Sequence, residues 1–300
     1  MRVTNRMMIE NSIRSMQDNL ERLTDLRTKA SSNKAFQFAS DNPSAAIASL
    51  NLRSGLQANQ AYLDTAQSTK DWMEATEYAF SQMEDLATRA LNLAMSGLND
   101  TLDETNLQAA ATEIDSILQQ AIEVGNTQHL GKYIFSGFQI DTEPFELVAG
   151  TPDTVIYNGG PYSGGIQRNV SPGQSMTVNI DGESTFLPLF NALIRARDGL
   201  LSKGIDGGTE LQAAVADLQN ALDTVSQVRS SNGARQRQIQ AVIDQCTQLD
   251  LSLKSMLSQK ENANLVEVIT LLQQQEITYE AVLEVSRRTL NTMNLFDLIQ

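Results

Sequence analysis

One histidine, His129, and one cysteine, Cys246, are all that a chain of 300 residues offers for imidazole or thiol chemistry. A Ser-His-Asp triad, a histidine base or an imidazole-held metal would each need His129. Neither Gly-x-Ser-x-Gly nor His-Glu-x-x-His accompanies it, and it reads as a helix end just before Leu130-Gly131. A single cysteine excludes an internal disulfide and a cysteine metal cage. Cys246 falls at an apolar position of a helical pattern, so it reads as a small core residue. Gly159-Gly160-Pro161-Tyr162-Ser163-Gly164-Gly165 is glycine-rich, but it lacks the Lys-Ser/Thr of a phosphate loop and the spacing of a dinucleotide fingerprint. It reads as a turn. The carboxylate pairs Glu84-Asp85 and Asp103-Glu104 lie in helical patterns with no cleft to serve. The expectation is no catalytic set, no cofactor and no metal.

Composition narrows the partners. The net charge of −14 would repel phosphate backbones, which argues against nucleic acid. Between Asp64 and Asp153 sixteen acids face three bases (Lys70, Arg89, Lys132), whereas residues 1–39 carry seven bases and four acids. The acidity therefore belongs to the middle of the chain, on a face turned to water. Charged residues make up 19%, against about 25% in ordinary domains. A surface rich in uncharged polar groups suits packing against many neighbours. No apolar run approaches the ~18 residues of a membrane span. The start, MRVTNRMMIENSI, has no continuous apolar core and no small-residue cleavage site, so no signal of the general secretory kind is expected.

The elements that would have to position any site are long helices. Ile9, Ile13, Met16, Leu20, Leu23 and Ala30 follow alternating steps of three and four, with Arg27 in one slot. Leu265, Val268, Leu272, Tyr279 and Val282 do the same, with Gln275 interrupting. Such spacing is that of a coiled-coil seam, which needs a partner helix. The simplest partner for each end is the other end. Ser40-Asp41-Asn42-Pro43 is a helix start, with Pro at the first helical position, and the pattern then runs to about Leu98. Thr101 with Glu104 reads as a capping box opening a seam at Leu107, Ala110, Ile114, Ile117, Ala121 and Val124. A third pattern runs Leu211, Val215, Leu218, Leu222, Val225 and resumes at Ile239, Val242, Cys246, Leu249, Leu253, Met256. The offset is a stutter that one helix can absorb, so Ser231-Asn232-Gly233 reads as a weak point within a helix, with a loop as the alternative. Ser258–Asn264 has no large apolar residue and reads as a joint, matched by Ser31-Ser32-Asn33-Lys34.

The middle differs. Thr154–Tyr157, Gly165–Val170 and Ser175–Ile180 are short alternating or β-branched runs separated by NGGP, SPG and DG, which predicts hairpins. Just before them, YIFSGFQIDTEPF at 133–145 gathers four aromatics in a chain that is 5% aromatic. Tyr133 and Phe135 are expected to leave the helix, Gly137 to permit the turn, and Phe138 and Phe145, beside Pro144, to plug the base of the β region as a domain hinge. The predicted fold is mainly α: an elongated bundle of long helices with paired N- and C-terminal coiled-coil helices and a small inserted β domain. The predicted domains are a terminal coiled coil (1–33 with 265–300), a helical rod (34–139 with 186–264) and the β insertion (140–185).

Several stretches together carry a family resemblance. They are MRVTNRMM at the start, ASDNPSAAIASLNLRSGL at 39–56, GKYIFSGFQIDTEPF at 131–145, VRSSNGARQRQIQ at 228–240 and YEAVLEVSRRTLNTMNLFDLIQ at 279–300. On these the chain resembles the flagellin superfamily over essentially its full length, and within it the hook-associated branch of the hook–filament junction. It departs where the family usually has Pro-Ser-Asp-Asp-Pro and this chain has Ala39-Ser40-Asp41-Asn42-Pro43.

The resemblance implies a structural protein of the bacterial flagellum, exported by the flagellar type III apparatus without a cleaved signal. It would form a ring of subunits joining the first hook-associated protein to the flagellin filament. The implied partners are further copies of itself, the first hook-associated protein, flagellin or the filament cap, and an export chaperone, without membrane insertion. The assembly residues would be the two seams, Ile13, Met16, Leu20 and Leu23 with Leu265, Val268, Leu272, Tyr279 and Val282. A minor flagellin that forms filament itself is the alternative within the class. A helical enzyme or a cytosolic scaffold is the alternative outside it.

Overall fold

The computed structural model of the chain describes residues 2–99, 103–150, 152–206 and 208–297. Six helices dominate these residues: α1 (Arg2–Ser32), α2 (Pro43–Gly97), α3 (Glu104–Gly125), α4 (Gly182–Asp206), α5 (Thr209–Glu261) and α6 (Leu265–Asp297). Six short strands lie between α3 and α4: β1 (Gln128–His129), β2 (Lys132–Tyr133), β3 (Phe145–Val148), β4 (Thr154–Tyr157), β5 (Gln167–Ser171) and β6 (Gln174–Thr177). The fold is mainly α with a small β insertion. Two compact units emerge, Met1–Ala58 with Leu249–Gln300, and Asn59–Gln248.

In the larger unit, α3 and α4 pack on each other and on the distal half of α2 and the first half of α5. Phe80, Met83, Ile114, Leu118, Phe186, Leu189, Phe190 and Leu193 are among the largest fully buried side chains of this core. The expected α3 seam is its inner face, with Ile114, Ile117 and Ala121 buried. The cap of α3 is Asp103, which accepts from the Asn106 N–H at 2.9 Å; Thr101, expected in that role, lies outside the described residues. The start of α2 follows the expected rule, with Asn42 Oδ1 accepting from the Ala45 N–H at 3.0 Å and Pro43 at the first helical position.

Gly233 lies inside α5, which is continuous through Ser231-Asn232-Gly233. The polar side chains there reach across to α2. Asn232 Nδ2 and Gln236 Nε2 both donate to the Met73 carbonyl, at 3.2 and 2.8 Å.

The insertion consists of three separate antiparallel hairpins, β1–β2, β3–β4 and β5–β6. Two expectations are corrected here. Thr154–Tyr157 does not pair across NGGP with the following run; it pairs back on Phe145–Val148, a strand the sequence reading missed. Asp181-Gly182 is not a hairpin turn but the start of α4, with Asp181 Oδ2 accepting from Ser184 Oγ at 2.7 Å. The turn at Ser171-Pro172-Gly173 does close β5 on β6, with Gly173 at φ +74°. This hairpin lays Val170 and Met176 against Ala66, Met73, Ile239, Val242 and Cys246.

The smaller unit contains α1, α6, the first turns of α2 and the end of α5. α1 and α6 run antiparallel in contact. Between α1 and α2, Asn33 takes a positive φ of 55° and turns the chain.

Candidate assembly interface

His129 sits in the β1–β2 hairpin, not at a helix end, because α3 stops at Gly125. Its ring stacks edge-on against Trp72, with centroids 5.8 Å apart. Cys246 is buried in the second apolar cluster, and burial pushes its thiol pKa up, away from nucleophilic use. Glu84 is held by Arg229 and by Ser226 Oγ, and Asp103 caps α3. The glycine-rich run is shaped by close backbone packing: a Cβ on Gly137, at φ +65°, would lie 2.2 Å from the Gly160 carbonyl oxygen. Among the described residues no group of three or more His, Cys, Asp or Glu could hold a metal. No described helix is long and apolar enough to cross a membrane.

The aromatic stretch anchors the insertion to the helices. Phe135 and Phe145 are fully buried and meet Phe186 edge-on at 4.7 and 6.2 Å, with Phe80 and Phe190 completing the cluster. Pro144 is buried beside Phe145, and Tyr133 is half-buried in β2. Phe138 does not plug the base as expected: it is 46% exposed, because Gly137 turns the chain outward after Ser136. Tyr157 takes its place, packing on Phe145 at 5.4 Å and donating its hydroxyl to the Phe135 carbonyl at 3.1 Å. Burial, with Asp181 and Glu183 nearby, pushes the Tyr157 phenol up to about 12. Arg197 ties the β3–β4 turn to the helices through Asp153 at 2.7 Å and Asp115 at 2.9 Å.

The terminal seam forms, in a different phase along α1 from the expected one. Leu23 is buried, and Met16, Leu26 and Ala30 are half-buried, while Ile13 and Leu20 are 49% and 48% exposed. The inner stripe is Ser12, Met16, Asn19, Leu23, Leu26, Ala30, which keeps strict steps of four and three. On α6 Val268 is buried, Leu272, Tyr279 and Val282 are half-buried, and Leu265 is exposed. Gln275 does not interrupt this seam. It fills it, donating Nε2 to Asn19 Oδ1 at 2.8 Å. Arg27, expected in the seam, points outward and pairs with Glu276 at 2.8 Å. Sequence reasoning missed Ser12, Asn19, Leu26 and Gln275; the signal available was the heptad phase itself, carried by polar residues.

Outside the seam both helices expose apolar side chains. On α1 the outer stripe is Ile13 and Leu20, and on α6 Val266, Ile269, Leu271, Ile277 and Val285 face outward, Val266 and Ile277 at 77% and 69% exposure.

Residues 3–139 match the family model of the bacterial flagellin N-terminal helical region. Over that stretch the chain resembles bacterial flagellin. It is 22% identical over its whole length to flagellar hook-associated protein 3 of Salmonella typhimurium, covering 99% of that protein. It is 23% identical to the Escherichia coli protein of the same name over 81% of the chain and 82% of that protein. The crystal structure of Bacillus cereus FlgL covers 69% of this chain and 99% of its own, with 21% identity and a TM-score of 0.60. At that identity the structural likeness establishes the fold.

Proposed function

We propose that this flagellin-like chain is a structural adaptor of the bacterial flagellum, placed at the hook–filament junction between the first hook-associated protein and the flagellin filament. The observation that carries the reading is the α1–α6 pair: zipped by a narrow seam, with Ile13, Leu20, Val266, Ile269, Leu271 and Ile277 left exposed outside it. A coil of ~30 residues per helix with polar residues in its seam is marginal alone and is stabilised when copies enclose its outer stripes. Relatives named flagellar hook-associated protein 3 support the junction over the filament.

In this reading the terminal coil (1–33 with 265–300) packs innermost in a ring of copies. The helical rod (34–139 with 186–264) forms the next shell, and the insertion (140–185) faces outward, where the acidic middle of the chain meets water. The role is mechanical rather than catalytic. The chain leaves the cell through the flagellar export gate, held beforehand by a chaperone and without cleavage. The partners are copies of itself, the first hook-associated protein, and flagellin or the filament cap.

A minor flagellin is the second reading, favoured by the match of residues 3–139 to the flagellin N-terminal helical region. Immunoblots of culture supernatant from strains with and without the export gate test the proposal, together with electron microscopy of the purified chain. Gate-dependent release, and no long filaments from the chain alone, are expected. Release that ignores the gate would overturn export, and long homopolymers would favour the minor flagellin.

A further inference from the structure

The two predicted joints of the chain are paired with each other. Asn33-Lys34-Ala35 and Glu261-Asn262-Ala263 run antiparallel: the Ala35 N–H donates to the Glu261 carbonyl at 2.7 Å and the Ala263 N–H donates to the Asn33 carbonyl at 3.1 Å. Lys34 and Asn262 face each other in the bridge between them. The chain leaves α1 and enters α6 through this short ladder.

Glu261 closes the ladder from within. Its side chain is 7% exposed, which is rare for a carboxylate, and it is fully partnered. Arg53 of α2 grips it with two donors, Nε to Oε1 at 2.8 Å and a terminal amino group to Oε2 at 2.9 Å. Lys34 Nζ reaches Oε2 at 2.7 Å, and Ser49 Oγ donates to Oε1. One carboxylate thus joins three segments: the linker after α1, the first turns of α2, and the last turn of α5. A buried carboxylate with charged partners is a poor source of net stability against an apolar residue, but removing one member strands the others, so its best-attested use is to fix a geometry.

The need for such a fixture lies in the seam. It is partly polar, with Asn19 and Gln275 inside it, and a repeat of seven residues permits slippage by one repeat, about 10 Å at 1.5 Å per residue. The linkers meet at one end of that seam and define where pairing starts.

We infer that Glu261 is the keystone of a clasp between the two linkers, and that this clasp anchors the terminal coil to α2 and α5 and carries load between them. Glu261, with Ser49 and Arg53, acts as a positioning residue. The clasp itself is a feature of the chain alone; its load-bearing role rests on the adaptor reading.

The test replaces the clasp by a covalent one. Lys34 and Asn262 are bridge partners, whose Cα atoms in antiparallel pairs lie about 4.5–5.5 Å apart, within disulfide reach. In a Cys246→Ala background, Lys34→Cys with Asn262→Cys is expected to give an intramolecular disulfide in protein sheared from cells. Glu261→Ala is expected to cause a several-fold loss of attached filaments per cell, and adding the 34–262 disulfide to restore them; the same-shaped Glu261→Gln is run beside it and reads the same way. Failure of the disulfide to form where Glu261 is present would overturn the pairing. Undiminished attachment with Glu261→Ala and Glu261→Gln, or a defect that the disulfide does not repair, would overturn the keystone. If deleting the whole chain leaves filaments attached, the adaptor reading falls, and the disulfide still decides the clasp.

Discussion

Gln275 on α6 donates its side-chain amide to Asn19 on α1, 2.8 Å away, in the middle of an otherwise mostly apolar seam. A second contact, 3.3 Å to the Asn19 carbonyl, holds the same amide to the backbone. A polar pair at a seam position lowers the stability of a coiled coil and raises its selectivity, because any shifted pairing leaves both groups facing apolar neighbours.

Gln275→Ala is therefore expected to lower the stability of the terminal pair by about 1 kcal/mol. Leucine at both Asn19 and Gln275 is expected to raise its melting temperature while permitting more than one alignment. Circular dichroism melts read the first effect. Cross-linking of exposed positions on α1 and α6 reads the second, as several products in place of one. A double-leucine variant that melts lower would contradict this account of the pair.

Acid should open the clasp within a defined window. Burial alone would push the Glu261 carboxyl up, but hydrogen bonds from Lys34, Ser49 and Arg53 outweigh it and bring it to about 2 from an ordinary 4.5. A depressed carboxylate stabilises the folded state above its unfolded value and loses that contribution as pH falls through its folded value. Lys34 and Arg53 are the charges that face it. Protease resistance of the linkers, compared between the parent and Glu261→Gln, should differ fully above pH 4.5 and converge toward pH 2. A constant difference across that range would show that the charge is not what holds the linkers.

Leu130 sits at the tip of the β1–β2 hairpin, 90% exposed and at φ +51°, next to Gly131 at φ +75°. Two positive φ values suit a tight hairpin turn, where Asn or Gly is at ease and leucine is strained. Leu130→Asn is expected to stabilise the larger unit by up to about 1 kcal/mol, seen as a higher thermal midpoint. A lower midpoint would mean that the leucine makes a contact that outweighs its strain.

Phe145 joins the insertion to the helical core through Phe186, Phe190 and Tyr157, and it also lies against Gly125 at the end of α3. Phe145→Ala should cost about 3–5 kcal/mol, whereas Phe138→Ala, on an exposed ring, should change stability little. Denaturant midpoints of the two variants check the ranking, and an equal loss in both would restore the plug role to Phe138.

The helices were legible because their apolar spacing is regular over many turns and because Asn42-Pro43 marks a start no other element shares. The phase of the α1 seam was not, since Ile13 and Leu20 fit a three-four repeat as well as Asn19 does, and only contact with α6 separates the stripes. Gln275 looked like an interruption because its partner is 256 residues away. The joints were visible as gaps in the apolar pattern, but the pairing of one with the other, and Glu261 as its centre, depends on Lys34, Ser49 and Arg53, all more than 200 residues distant. In the insertion, Phe145–Val148 hid behind its role in the aromatic cluster, and Asp181-Gly182 looked like a turn although the aspartate caps a helix.

The claim on which the account depends is that the outer stripe of the terminal coil, not only its seam, is covered by further copies. Leu20→Asp tests this most directly, because Leu20 is half-exposed in the single chain while Leu23, its neighbour in the seam, is buried. Filaments retained per cell would be counted by electron microscopy beside the amount of the chain in the supernatant. The account predicts a secreted, helical protein and few attached filaments; normal secretion with filaments attached as in the parent would contradict it.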